Sequence, residues 1–355
     1  MKRAHWIGLD VHCRFCEVAV LDPAARLLKR QRCATSIPAL IEVLEAVPRP
    51  RQVVLEEGPL ADWLCRNLRE HADGIVACDP RRNRLIAQDG DKDDPLDAER
   101  LAQLGRGGYV KAVHHPESLA RAVFKQHVAL YHDRVRHRVS EAHRAWSLLR
   151  RHGVMARQRD MLRREDRAAL LSRLPPSPVL REDVELLWRG YDTAAALEEQ
   201  ARRRLVQLAR QDEVVRRFEA LPGVGWVRAA TLVAFLDTPW RFASKQALWR
   251  YLGVGLERRR SGNGPERLQV PRRMNRLLKG TILGAARSAV LQGENPFAER
   301  YRGWVGTGLS PRLARRNVAR GLAAVLWGMW KSGNVYHPEW VGRAATPASA
   351  AAVSR

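Results

Sequence analysis

Trp6-Ile-Gly-Leu-Asp-Val11 is a short apolar run with one carboxylate, Asp10, near its end, and Val53-Val-Leu-Glu56 repeats the arrangement with Glu56 closing it. Both runs have the length and composition of buried strands. Outward from them the first 110 residues alternate. Residues 4–11, 16–21 and 28–34 read as three successive strands, 37–46 has helical spacing, and 52–56 is again a strand. A helix around Leu60-Ala-Asp-Trp-Leu-Cys-Arg-Asn-Leu68, a strand Gly74-Ile-Val-Ala-Cys78 and a helix from about Asp94 to Leu104 complete the series. A lone carboxylate among Ile7, Leu9 and Val11 is costly if buried and unpaired.

Strand-strand-strand-helix-strand-helix-strand-helix is the order of an α/β ribonuclease-H-like domain. In such a sheet the first strand's middle and the fourth strand's end lie side by side, so Asp10 and Glu56 are expected to converge. Asp94 and Asp97, one helical turn apart, face the same way and can close the cluster. Phosphodiester cleavage needs an aligned nucleophile and charge neutralisation at phosphorus, which a pair of Mg²⁺ ions bridged by carboxylates supplies, with Mn²⁺ a possible substitute. Plainer roles also fit these acids. Asp94 before Pro95 is a good helix N-cap, with Asp97 at N3 completing a capping arrangement. Glu56 and Glu57 point to opposite faces of a strand, so only one can reach Asp10; Glu56, first after the apolar run, is the choice, and Glu57 stays open. Asp91 and Asp93 read as solvated loop acids.

The 355 residues suffice for two domains or three. No run approaches the roughly 20 apolar residues of a membrane span, and no signal-peptide core is evident, so a cytoplasmic protein with no membrane partner is expected. Net charge is +24, unevenly placed: residues 1–110 hold 17 Lys+Arg and 17 Asp+Glu, so the remainder carries the whole excess. A neutral front and a basic body fit a catalytic module joined to one that grips a polyanion, although an Arg-rich solvated surface would give the same count. The five cysteines, at 13, 16, 33, 65 and 78, all lie in the front. Cys13-x-x-Cys16 lacks a second pair to complete a zinc site, and all five read as small, reduced core residues.

From about 118 to 152 and from 181 to 217, apolar residues step by threes and fours, separated by the proline-rich Leu174-Pro-Pro-Ser-Pro-Val179. Two such helices, each roughly 50 Å long, make an antiparallel arm, a dimer seam or an ordinary core pair. Past 218, Leu221-Pro-Gly-Val-Gly225 followed by a helix at 227–235 resembles a helix-hairpin-helix, whose amides at Gly223 and Gly225 can bind phosphate; a glycine-capped helix connection is the alternative. Ser261 sits in Glu257-Arg-Arg-Arg-Ser-Gly-Asn-Gly-Pro265, ahead of a basic run to Lys279. Arg258, Arg259, Arg260, Arg272, Arg273, Arg276 and Lys279 are the candidate phosphate ligands, and guanidinium groups beside a phosphate could help Ser261 attack it. Ser-Gly-Asn-Gly is also a plain turn.

In their order these residues resemble the DEDD transposases of bacterial insertion sequences, which include the Piv-type DNA invertase and are described as bridge-RNA-guided recombinases. The resemblance rests on Gly8-Leu-Asp-Val11, Leu55-Glu-Glu-Gly-Pro-Leu-Ala61, Cys78-Asp-Pro80, Lys92-Asp-Asp-Pro-Leu-Asp-Ala98, Leu221-Pro-Gly-Val-Gly225, Phe242-x-Ser244, Tyr251-Leu-Gly-Val-Gly255, Ser261-Gly262, Asn295-Pro-Phe297 and Tyr301. It implies a RuvC-like domain over 1–112, a helical coiled-coil arm over 113–217, a transposase domain over 218–340 and a disordered tail over 341–355. It further implies Asp10, Glu56, Asp94 and Asp97 as a metal-binding tetrad and Ser261 as the nucleophile forming a covalent phosphoserine-DNA link. The implied partners are double-stranded donor and target DNA, a noncoding bridge RNA and further copies of the chain in a dimer or tetramer. Two positions depart from the family pattern. Glu56-Glu57-Gly58 is one residue tighter than the common Glu-x-Thr-Gly, and Asp93 replaces the usual Thr or Ser.

The expected function is therefore a transposase or recombinase that cuts and rejoins DNA. A RuvC-like junction resolvase using metal-activated water is the first alternative, and a non-catalytic nucleic-acid-binding protein from a decayed element is the second.

Overall fold

The computed structural model describes residues 4–79, 94–259, 267–271 and 273–343. The chain divides into two compact units, Met1–Ala122 and Val123–Arg355. The first is mixed α/β and the second is mostly helical.

Five strands build the first unit: β1 His5–Val11, β2 Phe15–Leu21, β3 Leu27–Ala34, β4 Arg51–Glu56 and β5 Gly74–Cys78, in the order β3-β2-β1-β4-β5. β2 runs antiparallel to β1 and β3, whereas β4 is parallel to both β1 and β5. The parallel pairs need crossovers, which α1 (Ile37–Glu45) and α2 (Ala61–Asn67) supply. Ser36 starts α1, its hydroxyl accepting from the Ala39 amide with Pro38 in the first turn. Strand alternation then sorts the core. Ile7, Leu9, Val18, Val53 and Leu55 point to the α1/α2 side and pack on Leu40, Leu44 and Leu64. Trp6, Leu21, Val54 and Cys78 point to the other side, under Leu101 and Ala102 of α3 (Asp94–Gly107).

The second unit holds two long helices, α4 (Leu119–Arg151) and α7 (Pro178–Gln211), with the short α5 (Gln158–Leu162) and α6 (Arg167–Leu171) between them. α4 and α7 run antiparallel. His127 meets the Ala201 carbonyl, Arg138 pairs with Glu198, and Ala145 and Leu149 share a core with Val184 and Trp188. The short helices close that core with Met161 and Leu170. Beyond lie α8 (Glu213–Glu219), α9 (Gly225–Leu236), α10 (Lys245–Tyr251), a two-stranded hairpin of β6 (Glu257–Arg259) and β7 (Arg267–Gln269), α11 (Arg276–Leu291), α12 (Pro296–Gly306), α13 (Pro311–Ser332) and α14 (Trp340–Arg343). α11 and α13 run through the centre of their core. His132 ties α4 to this block: the Thr231 hydroxyl donates to the Val227 carbonyl at 2.7 Å and accepts from His132 Nε2 at 2.8 Å.

Several expectations need correction. The second long helix spans 178–211, because Asp212 leaves the helical conformation and its carboxylate caps α8 through the amides of Val214 and Val215. Cys13 is exposed in the β1–β2 turn and Cys33 is half-buried, so only Cys16, Cys65 and Cys78 are core residues. No disulfide joins any of the five, and burial pushes the thiols of Cys33 and Cys65 up to about 11. The disordered tail expected from 341 begins inside α14, which keeps residues 341–343 helical, and after Arg343 it lies outside the described residues. Among the described residues no helix is long and apolar enough to cross a membrane.

Candidate active site

β1 and β4 register Gly8 with Val54 and Leu9 with Leu55, so the next residue on each strand sets Asp10 beside Glu56 on the face that α3 covers. Neighbouring strands lie about 4.8 Å apart, which puts the two carboxylates within reach of one ion. Glu57 takes the other direction. Its Oε2 meets His115 Nε2 at 2.7 Å, and the same ring lies 3.4 Å from Asp62 at the start of α2. Of the two glutamates, Glu56 is the one that shares a face with Asp10.

The helix is seated by small residues. A Cβ on Gly8 would fall 1.9 Å from the Ala98 carbonyl, and one on Gly105 would meet Val54 at 2.4 Å and Trp6 at 3.0 Å. α3 therefore runs against β1, from over Gly8 at Ala98 to over Trp6 at Gly105. Four residues back from Ala98 is about 6 Å of helix, and two residues on from Gly8 is about 6.6 Å of strand. The backbone of Asp94 and Asp97 thus heads toward the Asp10 end of β1. The Asp97 carboxylate is half-exposed and paired with Arg100 at 3.1 Å, while the side chain of Asp94 lies outside the described residues. Among the described residues, no group of three His, Cys, Asp or Glu side chains converges as a metal site. Asp10, Glu56 and Asp97 offer only carboxylate oxygens, the donors that a hard divalent cation takes.

Three neighbours of Asp10 escape sequence reasoning. His12 Nε2 lies 2.9 Å from Asp10 Oδ2, its ring stacked on Phe15 with centroids 4.6 Å apart. Glu17 registers opposite Asp10 on β2 and is buried, and its charge is met by Arg32 on β3, whose Nε donates to Oε1 at 2.6 Å. The Arg32 guanidinium in turn covers the Phe15 ring at 4.1 Å. A single histidine after a strand has no periodic signature, and the one signal available is the i, i+2 spacing that sets His12 on the same face as Asp10.

Ser261 lies outside the described residues, as do Arg260, Arg272 and the side chain of Arg259. Its place in the chain is between β6 and β7, which pair Arg258 with Leu268 and Arg259 with Arg267. Arg258, Arg273 and Arg276 are exposed and Lys279 is half-buried. The base of the hairpin is a tight turn: Gly253 has φ +67, and a Cβ on Gly255 would fall 2.8 Å from the Arg250 amide. In Leu221-Pro-Gly-Val-Gly225 the two glycines differ. Gly223, at φ +78, packs directly on α11, where a Cβ would come 2.3 Å from the Ala285 carbonyl, and its own carbonyl accepts from Arg228 at 2.6 Å. Gly225, at φ +58, has open space around it.

A family model for IS110-type DEDD proteins, described as Transposase, matches residues 7–153. A second, described as Transposase IS116/IS110/IS902 family, matches residues 215–302. The first takes in Asp10, Glu56, Asp94 and Asp97, and the second takes in Ser261. No curated protein matches the chain.

Proposed function

The chain belongs to the IS110-type DEDD transposases of insertion sequences, enzymes that act on DNA, and from that premise we propose that it cuts and rejoins DNA through a covalent phosphoserine link formed by Ser261. The observation that carries the reading is the strand register that sets Asp10 beside Glu56, with the first turn of α3 directed toward them. The sheet order β3-β2-β1-β4-β5 supports a ribonuclease-H-like catalytic domain. The antiparallel α4/α7 pair supports an assembly arm, and the hairpin block a serine-bearing domain.

Asp10, Glu56, Asp94 and Asp97 would hold divalent cations, Mg²⁺ or Mn²⁺, which when bound offset the charge of the phosphate under attack. His12 keeps Asp10 oriented through a ring fixed on Phe15. Glu17, neutralised by Arg32, completes the row without adding an unmet charge beside Asp10. At the serine, the Oγ–phosphorus bond forms as the bond from phosphorus to a deoxyribose oxygen breaks, the hydroxyl proton leaving Oγ and the departing oxygen ending as a hydroxyl. Attack by the hydroxyl of another strand reverses the exchange and releases Ser261. One ester replaces another throughout, so no ATP is required. A noncoding bridge RNA and a dimeric or tetrameric assembly complete the proposal.

The test is trapping of a denaturation-resistant protein-DNA adduct with the full chain, element-end DNA and its flanking transcript. Ser261→Ala is expected to abolish the adduct and leave DNA and RNA binding intact, while Asp10→Asn lowers adduct formation at least about 100-fold and weakens Mn²⁺ binding in titration calorimetry. Free DNA ends with no adduct would replace the serine mechanism by attack of water.

A further inference from the structure

α13 enters the core with one face and turns a ladder of guanidinium groups outward. Arg312, Arg316 and Arg320 recur every four residues, about 6 Å apart along the axis, and Arg315 lies beside them. α13, α11 and α10 carry no Asp or Glu at any position. Among the described residues neither Arg312 nor Arg316 has a hydrogen-bond, carboxylate or ring partner, although Arg316 is partly buried. Burial lowers the pKa of Arg316, and the charge of Arg312 lowers it further. Burial likewise lowers that of Arg320, with Arg316 adding to it. Cations held close together and partly out of water are costly unless an anion joins them.

Arg320 fixes this ladder to the serine-bearing hairpin. Its Nε donates to the Val254 carbonyl at 2.7 Å, at the tight turn leading into β6, and Nη1 donates to Asn317 Oδ1 at 3.1 Å. The Arg320 carbonyl accepts from Trp249 Nε1 of α10 at 3.0 Å. The turn, α10 and α13 are thus one fastened block, and Arg316 stands one helical turn from the fastening.

We infer that Arg312 and Arg316 form a phosphate-binding rail for a nucleic-acid backbone beside the base of the serine-bearing hairpin, with Arg320 as the structural anchor of that rail. The ligand chemistry is the phosphodiester, read without base contacts, and it is supplied by a DNA or an RNA strand. This rests on the nucleic-acid-processing reading above but not on the serine chemistry.

The experiment measures binding of a 20-base-pair DNA duplex and a matched RNA duplex to the full chain by fluorescence anisotropy across a salt series. The pair Arg312→Ala/Arg316→Ala is compared with Arg312→Lys/Arg316→Lys, and Arg320 is left in place. The alanine pair is expected to weaken binding of one duplex about tenfold or more at 0.1 M salt and to reduce its log–log salt slope by about 2, roughly one for each phosphate no longer neutralised. The lysine pair should keep the slope, and both should melt at the wild-type temperature. Weakening confined to DNA assigns the rail to the substrate, and weakening confined to RNA assigns it to a guide. Unchanged slopes on both duplexes would overturn the rail, as would an equal weakening in the lysine pair. A Ser261→Ala protein that still forms an adduct would refute the serine role and leave this result standing.

Discussion

Arginine is abundant both on the long helices α4 and α7 and on the C-terminal block, but its charge is met in different ways. Along the long helices many of these charges meet a carboxylate within the fold. Arg138 pairs with Glu198 across the helices, Arg144 with Glu141 at 2.7 Å, and Arg202 and Arg203 share Glu199 at 2.7 and 2.9 Å. Asp192 takes both nitrogens of Arg167 at 2.7 and 2.8 Å. On α13 and α11 the guanidinium groups of Arg312, Arg316 and Arg287 meet no acid among the described residues. The excess of positive charge is therefore not a uniform coating. Where arginine joins the two long helices it is neutralised, whereas the unmet pair on α13 is what the proposed rail would offer to a phosphodiester backbone.

The sharpest way to break this contrast is at Arg167, the cation held most closely to the long helix pair. Its side chain is largely buried, its bond to Asp192 is bidentate, and it lies over the Trp188 ring at 5.2 Å. Arg167→Ala should cost about 2 kcal/mol, read as a lower melting temperature, and should leave the salt slope of DNA binding unchanged. A changed slope with no stability loss would mean that the arginines around the long helices also serve the ligand.

Acid gives the next effect. Hydrogen bonding from Arg167 holds the Asp192 carboxyl below its usual range, and Arg202 followed by Arg203 pulls Glu199 down to about 2. Folded pKa values below the unfolded ones stabilise the helix pair fully above about pH 4.5. That contribution is lost as pH falls toward 2. Helicity followed by circular dichroism should decline across this window, whereas nucleic-acid binding through guanidinium groups should be flat between about pH 5 and 8. Retention of the helix pair at pH 2 would show that its ion pairs contribute little.

The smallest effect is expected at Arg181, whose i, i+4 pair with Glu185 is exposed on both sides at 62% and 43%. Arg181→Ala should shift stability by less than about 0.5 kcal/mol. A larger loss would show that even solvated pairs help hold α7.

The middle of the sheet is legible in the sequence because its strands are apolar in a pattern that burial explains: the runs 4–11, 52–56 and 74–78 match β1, β4 and β5 to within a residue at each end. The break at Asp212 is not, since apolar spacing continues through it and only the cap reveals the new helix. α5 and α6, with five residues each, are too short to show a period. At the candidate site, Asp10 and Glu56 are readable as strand-end acids. The choice against Glu57 requires His115, which lies 58 residues away in sequence. Glu17 looks like any strand glutamate until β3 brings Arg32 across from it.

The seating of α3 on β1 has a consequence for how this domain can vary. Gly8 lets the backbone of α3 at Ala98 rest directly on the strand, and Gly105 lets the helix rest on the side chains of Val54 and Trp6, so the helix takes its position from the sheet it touches. A bulkier side chain at Gly8, although it carries no charge and touches no substrate, would lift Asp94 and Asp97 away together.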